Sequence, residues 1–342
     1  MIGARLALRY APRRPREPLH GARRDRRLRD PHPTAPHPTP IPFPTSGPTP
    51  TPRPSPTPRP SSTARPSPSS GPISSPPLDP ALVLALRDRA TRDALGLYVV
   101  EGARFAVAAV DARVDVAGMI VAPSELRSPM AQMMARRLRQ RGVPELRVRA
   151  DALLELASSR EPQGILLILR QRREPIEALT PPSCALWLVV DGVRTPGNLG
   201  TALRTAHATG VDGLVVVRDG REPTDPFDPA CVRASMGAIV STRVIDTDVA
   251  ALRAFAERTR TRLVAATPRA RHDFRAVSYR GPTALVVGSE QKGASDGVLD
   301  ACDLAVRIPM ASAMDSLNAA VAAAVLLYEA YGQRCPVARR RG

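Results

Sequence analysis

Two apolar runs near the C-terminus end at residues that interrupt a strand, and they restrict the fold more than any other part of the chain. The first, residues 284–287, ends at Gly288 and is followed by Glu290. The second, residues 304–308, ends at Pro309. Apolar runs closed by glycine, proline and polar residues are typical of buried strands with loops at their C-terminal ends. Ligands of open α/β sheets bind at such ends, so these loops are predicted to form one pocket.

Composition separates a tail from the rest of the chain. Residues 1–80 hold more than half of the 38 prolines, and residues 31–80 have almost no large apolar side chains. Proline fixes φ and lacks a backbone donor, so this segment cannot build a core. We predict a disordered, partly polyproline-II tail over residues 1–79 and two domains beyond it. A transit segment or a start site assigned too far upstream would also explain such a tail.

Charge and cysteine content restrict the partners. The formal net charge of +17 attracts polyanions such as nucleic acid, although the tail carries about half of that excess. The four cysteines form no C-x-x-C pair, so no metal is expected. No uninterrupted apolar run reaches the roughly 20 residues of a membrane span. We therefore expect a cytoplasmic chain with reduced thiols and no membrane partner.

Alternating strand and helix patterns over residues 80–172 predict a small α/β domain. The helix at residues 130–141 carries four arginines, which would either contact phosphate or form a solvated face. The predicted strands are residues 97–100, 116–121, 146–148 and 164–169, and the predicted helices are residues 81–91, 103–111, one starting at 123–124, 130–141 and 151–157.

A second domain is predicted over residues 184–334. Residues 173–183 are polar and proline-rich and are interpreted as a linker, and residues 335–342 as a basic C-terminal tail. The repeated strand–helix–strand pattern predicts a parallel sheet. Its predicted strands are residues 185–190, 214–217, 242–245, 262–266, 284–287 and 304–308, and its predicted helices are residues 201–209, 249–259 and 317–331.

A Pro-Gly-Asn-Leu-Gly turn, residues 196–200, follows the first strand of the second domain. Such a turn presents backbone N–H groups to an anion, and Arg204 has the reach and charge to bind a phosphate. The alternative is tight backbone packing. The turn is neither a dinucleotide fingerprint nor a P-loop, which disfavours a nicotinamide-dependent oxidoreductase.

Polar residues after the two C-terminal strands complete the set of candidates. Glu290 would accept from a hydroxyl or orient Arg204, or would simply be solvated. Ser316 is predicted to cap the last helix, which would put Asn318 in its first turn, facing the same strand ends. The alternative for this pair is plain capping and core packing.

Together these stretches resemble the SpoU/TrmH-type RNA 2′-O-ribose methyltransferases of the SPOUT class. Upstream, the chain is similar to the small RNA-binding domain, akin to a ribosomal protein, that many members carry. The resemblance covers roughly residues 81–332 and is carried by residues 98–102, 163–165, 196–200, 204–206, 287–290, 292–293, 308–310 and 316–322.

The resemblance implies a parallel sheet with a trefoil knot, S-adenosyl-L-methionine as cofactor, a homodimer and an RNA substrate. By motif position it implies catalytic roles for Asn198, Arg204, Glu290, Ser316 and Asn318. By the same positions it implies a cofactor pocket at Val287, Gly288, Ile308, Met310 and Leu317.

The implied reaction is methylation of a ribose 2′-hydroxyl. Because a guanidinium stays protonated in proteins, Arg204 is expected to position a phosphate and stabilise a developing alkoxide, not to act as a base. The separate RNA-binding domain favours ribosomal RNA as substrate. Transfer RNA, a role in antibiotic resistance and a non-catalytic RNA-binding protein stay open as alternatives.

Overall fold

The computed structural model describes residues 76–218, 224–311 and 316–335. The predicted N-terminal tail therefore lies outside the described residues up to position 75, as do residues 336–342 of the predicted C-terminal tail. Helices and strands are interspersed along the described part, and the strands build two β-sheets. None of the helices in these ranges combines the length and apolar character that a bilayer span requires.

The first sheet has four strands in the order β1-β4-β2-β3, with β4 antiparallel to both neighbours and β3 parallel to β2. Helices cover both of its faces, which is why β4 is apolar along its buried length. The elements are α1 (Pro80–Ala85), α2 (Arg89–Leu95), β1 (Leu97–Glu101), α3 (Ala103–Asp111), β2 (Val116–Val121), α4 (Pro129–Gln140), β3 (Glu145–Arg147), α5 (Ala150–Leu156) and β4 (Ile165–Arg170).

The second sheet is entirely parallel, in the order β7-β6-β5-β10-β8-β11-β9. Helices α6 and α11 cover one face, and α9 and α10 cover the other. The elements are β5 (Leu186–Asp191), α6 (Pro196–Ala208), β6 (Gly213–Val217), α7 (Pro229–Ala234), α8 (Ala238–Ser241), β7 (Val244–Thr247), α9 (Val249–Thr259), β8 (Arg262–Ala266), β9 (His272–Asp273), β10 (Thr283–Gly288), α10 (Asp296–Ala301), β11 (Leu304–Arg307) and α11 (Ala319–Arg334).

The predicted α/β class with a parallel sheet is confirmed, and every predicted strand is present with its ends within two residues. Two helix predictions were wrong. The predicted helix 81–91 is split into α1 and α2, because Asp88 accepts the backbone N–H of Thr91 at 2.8 Å and starts a new helix. No helix starts at the predicted residues 123–124, which form a turn, while the helix predicted over residues 130–141 is present and begins at Pro129, where the hydroxyl of Ser128 caps it.

The segment interpreted as a linker packs along the second sheet. The backbones of Arg172 and Glu174 hydrogen-bond to Val244 at 3.0 and 3.1 Å. Ile176 and Leu179 are buried in the core beneath α9. Apolar side chains at these positions anchor the segment, so it is well packed although its composition is typical of a linker.

A buried ion pair links a helix beside the first sheet to the segment before α7, beside the second sheet. Both nitrogens Nε and Nη2 of Arg92, in α2, donate to Oδ2 of Asp225, just before α7, at 3.0 and 2.7 Å. The Nη1 of Arg92 donates to two backbone carbonyls of the turn after α1. Beside this pair, the rings of Tyr98 and Phe227 lie 4.8 Å apart. The first sheet is thus attached to the second through specific buried contacts.

Candidate active site

The site is built at the C-terminal ends of β5 and β10, which are neighbours in the sheet. Gly288, the last residue of β10, lies in register with Asp191, the last residue of β5. A tight turn follows, closed by reciprocal backbone hydrogen bonds between Ser289 and Gly293 at 3.1 and 2.9 Å. The returning chain passes directly over Gly288, where an added Cβ would lie 1.9 Å from the backbone N of Ala294. Position 288 therefore requires glycine.

Replacing Gly288 with alanine should lower the free energy of unfolding by about 1–3 kcal/mol, because a methyl group forced into a packed site displaces the backbone. Urea unfolding of the purified chain measures this loss. Gly197→Ala is the matched control, since a Cβ at that helical glycine meets nothing within 4 Å. Equal stability of the two variants would contradict the close approach at Gly288.

Asn198 and Glu290, predicted from separate stretches, are in direct contact. The Nδ2 of Asn198 donates to Oε1 of Glu290 at 2.6 Å, and both side chains are partly buried. The contact forms because α6 begins at Pro196, five residues earlier than predicted. The Pro-Gly-Asn-Leu-Gly stretch is therefore the first turn of the helix, with proline at its favoured first position. Gly200 lets this turn approach α7 closely, since an added Cβ would lie 2.3 Å from the carbonyl oxygen of Cys231.

Arg204 lies farther along α6 with its side chain exposed to solvent. Over the described ranges, its guanidinium takes part in no hydrogen bond or ion pair, and Glu290 contacts Asn198 instead of Arg204. The structure thus does not bring Arg204 into the Asn198–Glu290 pair. An exposed guanidinium without a protein partner keeps all of its donors for an external anion such as a phosphate.

The predicted cap of the last helix was wrong. Asn318 caps α11, and its Oδ1 accepts the backbone N–H groups of Ala320 and Val321 at 2.9 and 3.4 Å. Ser316 is exposed two residues before the cap. Asparagine and serine are both favoured N-caps, and asparagine takes the position here. Asn318 therefore fixes the start of α11, and its amide Nδ2 has no partner among the described residues.

The residues predicted to line the cofactor pocket lie around the strand ends. Val287 and Gly288 are buried at the end of β10, while Ile308, Met310 and Leu317 are only half-buried after β11 and before α11. Apolar side chains left half covered at strand ends of a parallel sheet offer a surface for an apolar ligand group. These positions, like the catalytic ones, stay predictions. In the described part of the chain, no cluster of His, Cys, Asp and Glu is arranged to hold a metal ion.

Asp191 is a feature of the site that the sequence did not single out. Its side chain is fully buried, and Oδ2 accepts the backbone N–H of Ser295 at 2.5 Å. An aspartate directly after a fully apolar strand was the available signal. The burial of Asp191 could not be predicted from the sequence, because it arises where residues 289–295 fold back over the end of β5.

Comparison with protein families matches both halves of the chain. The model of the SpoU rRNA Methylase family matches residues 185–328. The model of the MRM3-like substrate binding domain matches residues 82–167.

Individual relatives cover the chain more fully. The 23S rRNA (uridine(2479)-2′-O)-methyltransferase of Streptomyces viridochromogenes is 30% identical over 258 residues, which are 73% of this chain and 87% of that protein. An uncharacterized tRNA/rRNA methyltransferase of Synechocystis is 34% identical over 205 residues, 59% of this chain and 72% of that protein. Among solved structures, an AdoMet complex of a SpoU methyltransferase from Streptomyces viridochromogenes superposes with a TM-score of 0.68 at 28% identity, covering 75% of this chain and 97% of the other.

Proposed function

Because the chain belongs to the SpoU rRNA methylase family, we propose that it transfers a methyl group from S-adenosyl-L-methionine to a ribose 2′-hydroxyl of ribosomal RNA. The observation that carries this proposal is the hydrogen bond between Asn198 and Glu290 at the strand ends. Asn198 lies on the same helix as the exposed Arg204. The Streptomyces relative that acts on 23S rRNA spans both halves of this chain, which supports ribosomal RNA as substrate.

The residues at the strand ends fit this cofactor. The half-buried side chains of Ile308, Met310 and Leu317 would hold its apolar adenosyl part, next to the backbone at Gly288. The negative charge of Asp191, buried beside Gly288, suits a cationic ligand. When bound, the cofactor supplies a methyl group activated by a positively charged sulfur.

The chain's own residues would prepare the ribose. Methyl transfer requires the 2′-oxygen to be held in line with the methyl carbon and its leaving group. Arg204 would bind a phosphate of the target nucleotide and stabilise negative charge that develops on the 2′-oxygen. Asn198, held by Glu290 at 2.6 Å, and Asn318, at the start of α11, would orient the ribose. Ser316 is exposed two residues before Asn318.

The 2′-hydroxyl that distinguishes RNA from DNA is itself the acceptor, so ribose methylation across total RNA is the direct test. Cells with and without the gene are compared position by position. Loss of one 2′-O-methyl mark in ribosomal RNA supports the proposal. Loss of a mark in transfer RNA would instead favour the tRNA alternative. The Synechocystis relative, named as a tRNA/rRNA methyltransferase, is consistent with either substrate. An unchanged map would contradict both and favour a non-catalytic RNA-binding protein.

We also propose a trefoil knot, which the family resemblance implies, together with a cytoplasmic location. The proposed domains cover residues 80–172 and 184–334 and are joined by residues 173–183. The insertion of β10 between β5 and β8, with α11 packed on α6, supports the knot.

A homodimer is part of the proposal, and an exposed apolar stripe on α11 supports it. Val321 and Tyr328, seven residues apart and so on one face of the helix, are 49% and 57% exposed. Tyr331 lies beside Tyr328, with ring centroids 6.4 Å apart. Adjacent exposed aromatic and aliphatic side chains are typical of a subunit interface.

Tyr328→Glu should convert the dimer to a monomer, because a carboxylate would be buried without a partner in the apolar interface. Sedimentation velocity measures the mass of the species in solution. Leu154→Glu is the matched control, since Leu154 is 52% exposed on α5, away from α11. A dimer that survives Tyr328→Glu would show that the interface lies elsewhere.

A further inference from the structure

Asp191 carries a buried charge that no cation in the described ranges neutralises. Its residue is 0% exposed, and the donor to Oδ2 is a neutral backbone N–H, that of Ser295. The second carboxylate oxygen, Oδ1, is buried and has no hydrogen-bond partner in the part of the chain that the structure describes. The hydroxyl of Ser295 is likewise buried and unpartnered there.

Such an arrangement is costly for the fold alone. A carboxylate removed from water needs an opposite charge or several donors to offset its lost hydration. The other buried aspartate of the described ranges, Asp225, has Arg92 at 2.7 Å. Buried polar atoms without partners are uncommon in native proteins and call for a specific explanation.

The position of the charge indicates its partner. Asp191 ends β5 in register with Gly288, so the carboxylate lies at the strand ends where the proposed function puts the cofactor. Its bond to Ser295 closes the loop that starts after Gly288 and carries Glu290. S-adenosyl-L-methionine bears one more positive charge than its demethylated product, S-adenosyl-L-homocysteine, because the sulfonium becomes a neutral thioether.

We propose that Asp191 supplies the negative charge of the cofactor pocket and favours the sulfonium cofactor over the neutral product. This inference rests on the proposed function. The interaction between the two charges is strong because a buried site screens it less than water does. After transfer, the sulfur loses its positive charge and the attraction with it, so the same residue assists product release.

The test compares the affinities of both compounds by isothermal titration calorimetry on the full chain. In Asp191→Asn, the amide oxygen still accepts the N–H of Ser295, but the charge is gone. The Kd for S-adenosyl-L-methionine should rise roughly tenfold or more, while that for S-adenosyl-L-homocysteine should change by less than about twofold. Asp212→Asn is the matched control, because Asp212 accepts the backbone N–H of Leu186 at 2.8 Å at the opposite end of β5; both affinities should stay unchanged.

The outcomes separate a role of the charge from a structural role. An equal loss of affinity for both compounds, or no loss, would overturn the inference. Thermal unfolding checks that Asp191→Asn is folded, and Asp191→Ser, whose hydroxyl also accepts an N–H, is measured in its place if it is not. A wild-type chain that binds neither compound would overturn the proposed function and, with it, this inference.

Discussion

Arg204→Ala should lower the rate of methyl transfer by about 10²–10³-fold, the loss typical of removing one group that stabilises developing charge, and should leave cofactor affinity unchanged. The side chain is exposed and has no partner among the described residues, so its removal breaks no contact within the protein. Loss of the charge stabilisation should lower kcat, because the charge on the 2′-oxygen develops only in the transition state, and loss of the phosphate contact should raise the KM for RNA. Single-turnover transfer of a labelled methyl group, together with calorimetric cofactor binding, measures both quantities.

Two further variants sharpen this result. Arg204→Lys keeps the positive charge but loses the planar pair of donors, and it should recover only part of the activity. Arg260→Ala removes an exposed arginine after α9, on the opposite face of the sheet, and should retain full activity. Full activity of Arg204→Ala would refute the assigned role.

The strands could be predicted from the sequence because burial on both faces makes them continuous apolar runs. Residues 116–121 and 262–266 have the predicted bounds. The beginning of α6 could not be predicted in this way, since proline and glycine at positions 196–200 are typical of a turn. The stretch is helical because Gly200 permits close packing on α7, a contact between residues distant in sequence. The two-residue strand β9 offers no periodicity at all.

The site was predictable to the extent that it depends on strand ends. Because parallel strands end at one edge, Asn198 and Glu290 were expected on the same side of the sheet, and they share a hydrogen bond. The sequence alone could not decide whether Ser316 or Asn318 caps α11, because both residue types have the required acceptor. The burial of Asp191 depends on which segment covers β5, which only the assembled fold determines.

The buried pair of Arg92 and Asp225 should have the largest effect on stability. The two residues are 2% and 6% exposed, and removal of one partner leaves the other charge buried and unpaired. We expect Asp225→Ala to lower the free energy of unfolding by about 3–5 kcal/mol. Asp93→Ala, which removes a 39% exposed carboxylate paired with Arg173, should cost only about 0–1 kcal/mol. Urea unfolding measures both, and equal costs would contradict the importance of burial.

The double variant Arg92→Met/Asp225→Leu distinguishes the contribution of the ion pair to stability from its contribution to the orientation of the two sheets. Two apolar side chains of similar size remove both charges, and such replacements are often neutral or stabilising. We therefore expect it to be more stable than Asp225→Ala but less stable than wild type, because the carbonyls of Leu86 and Arg87 and the backbone N–H of Phe227 lose their partners. Because Arg92 also donates to the carbonyls after α1, the double variant still loses contacts that orient the first sheet on the second. RNA methylation should then fall while cofactor affinity stays unchanged. Full activity in this variant would show that apolar packing, such as that of Tyr98 on Phe227, suffices to hold the two parts together.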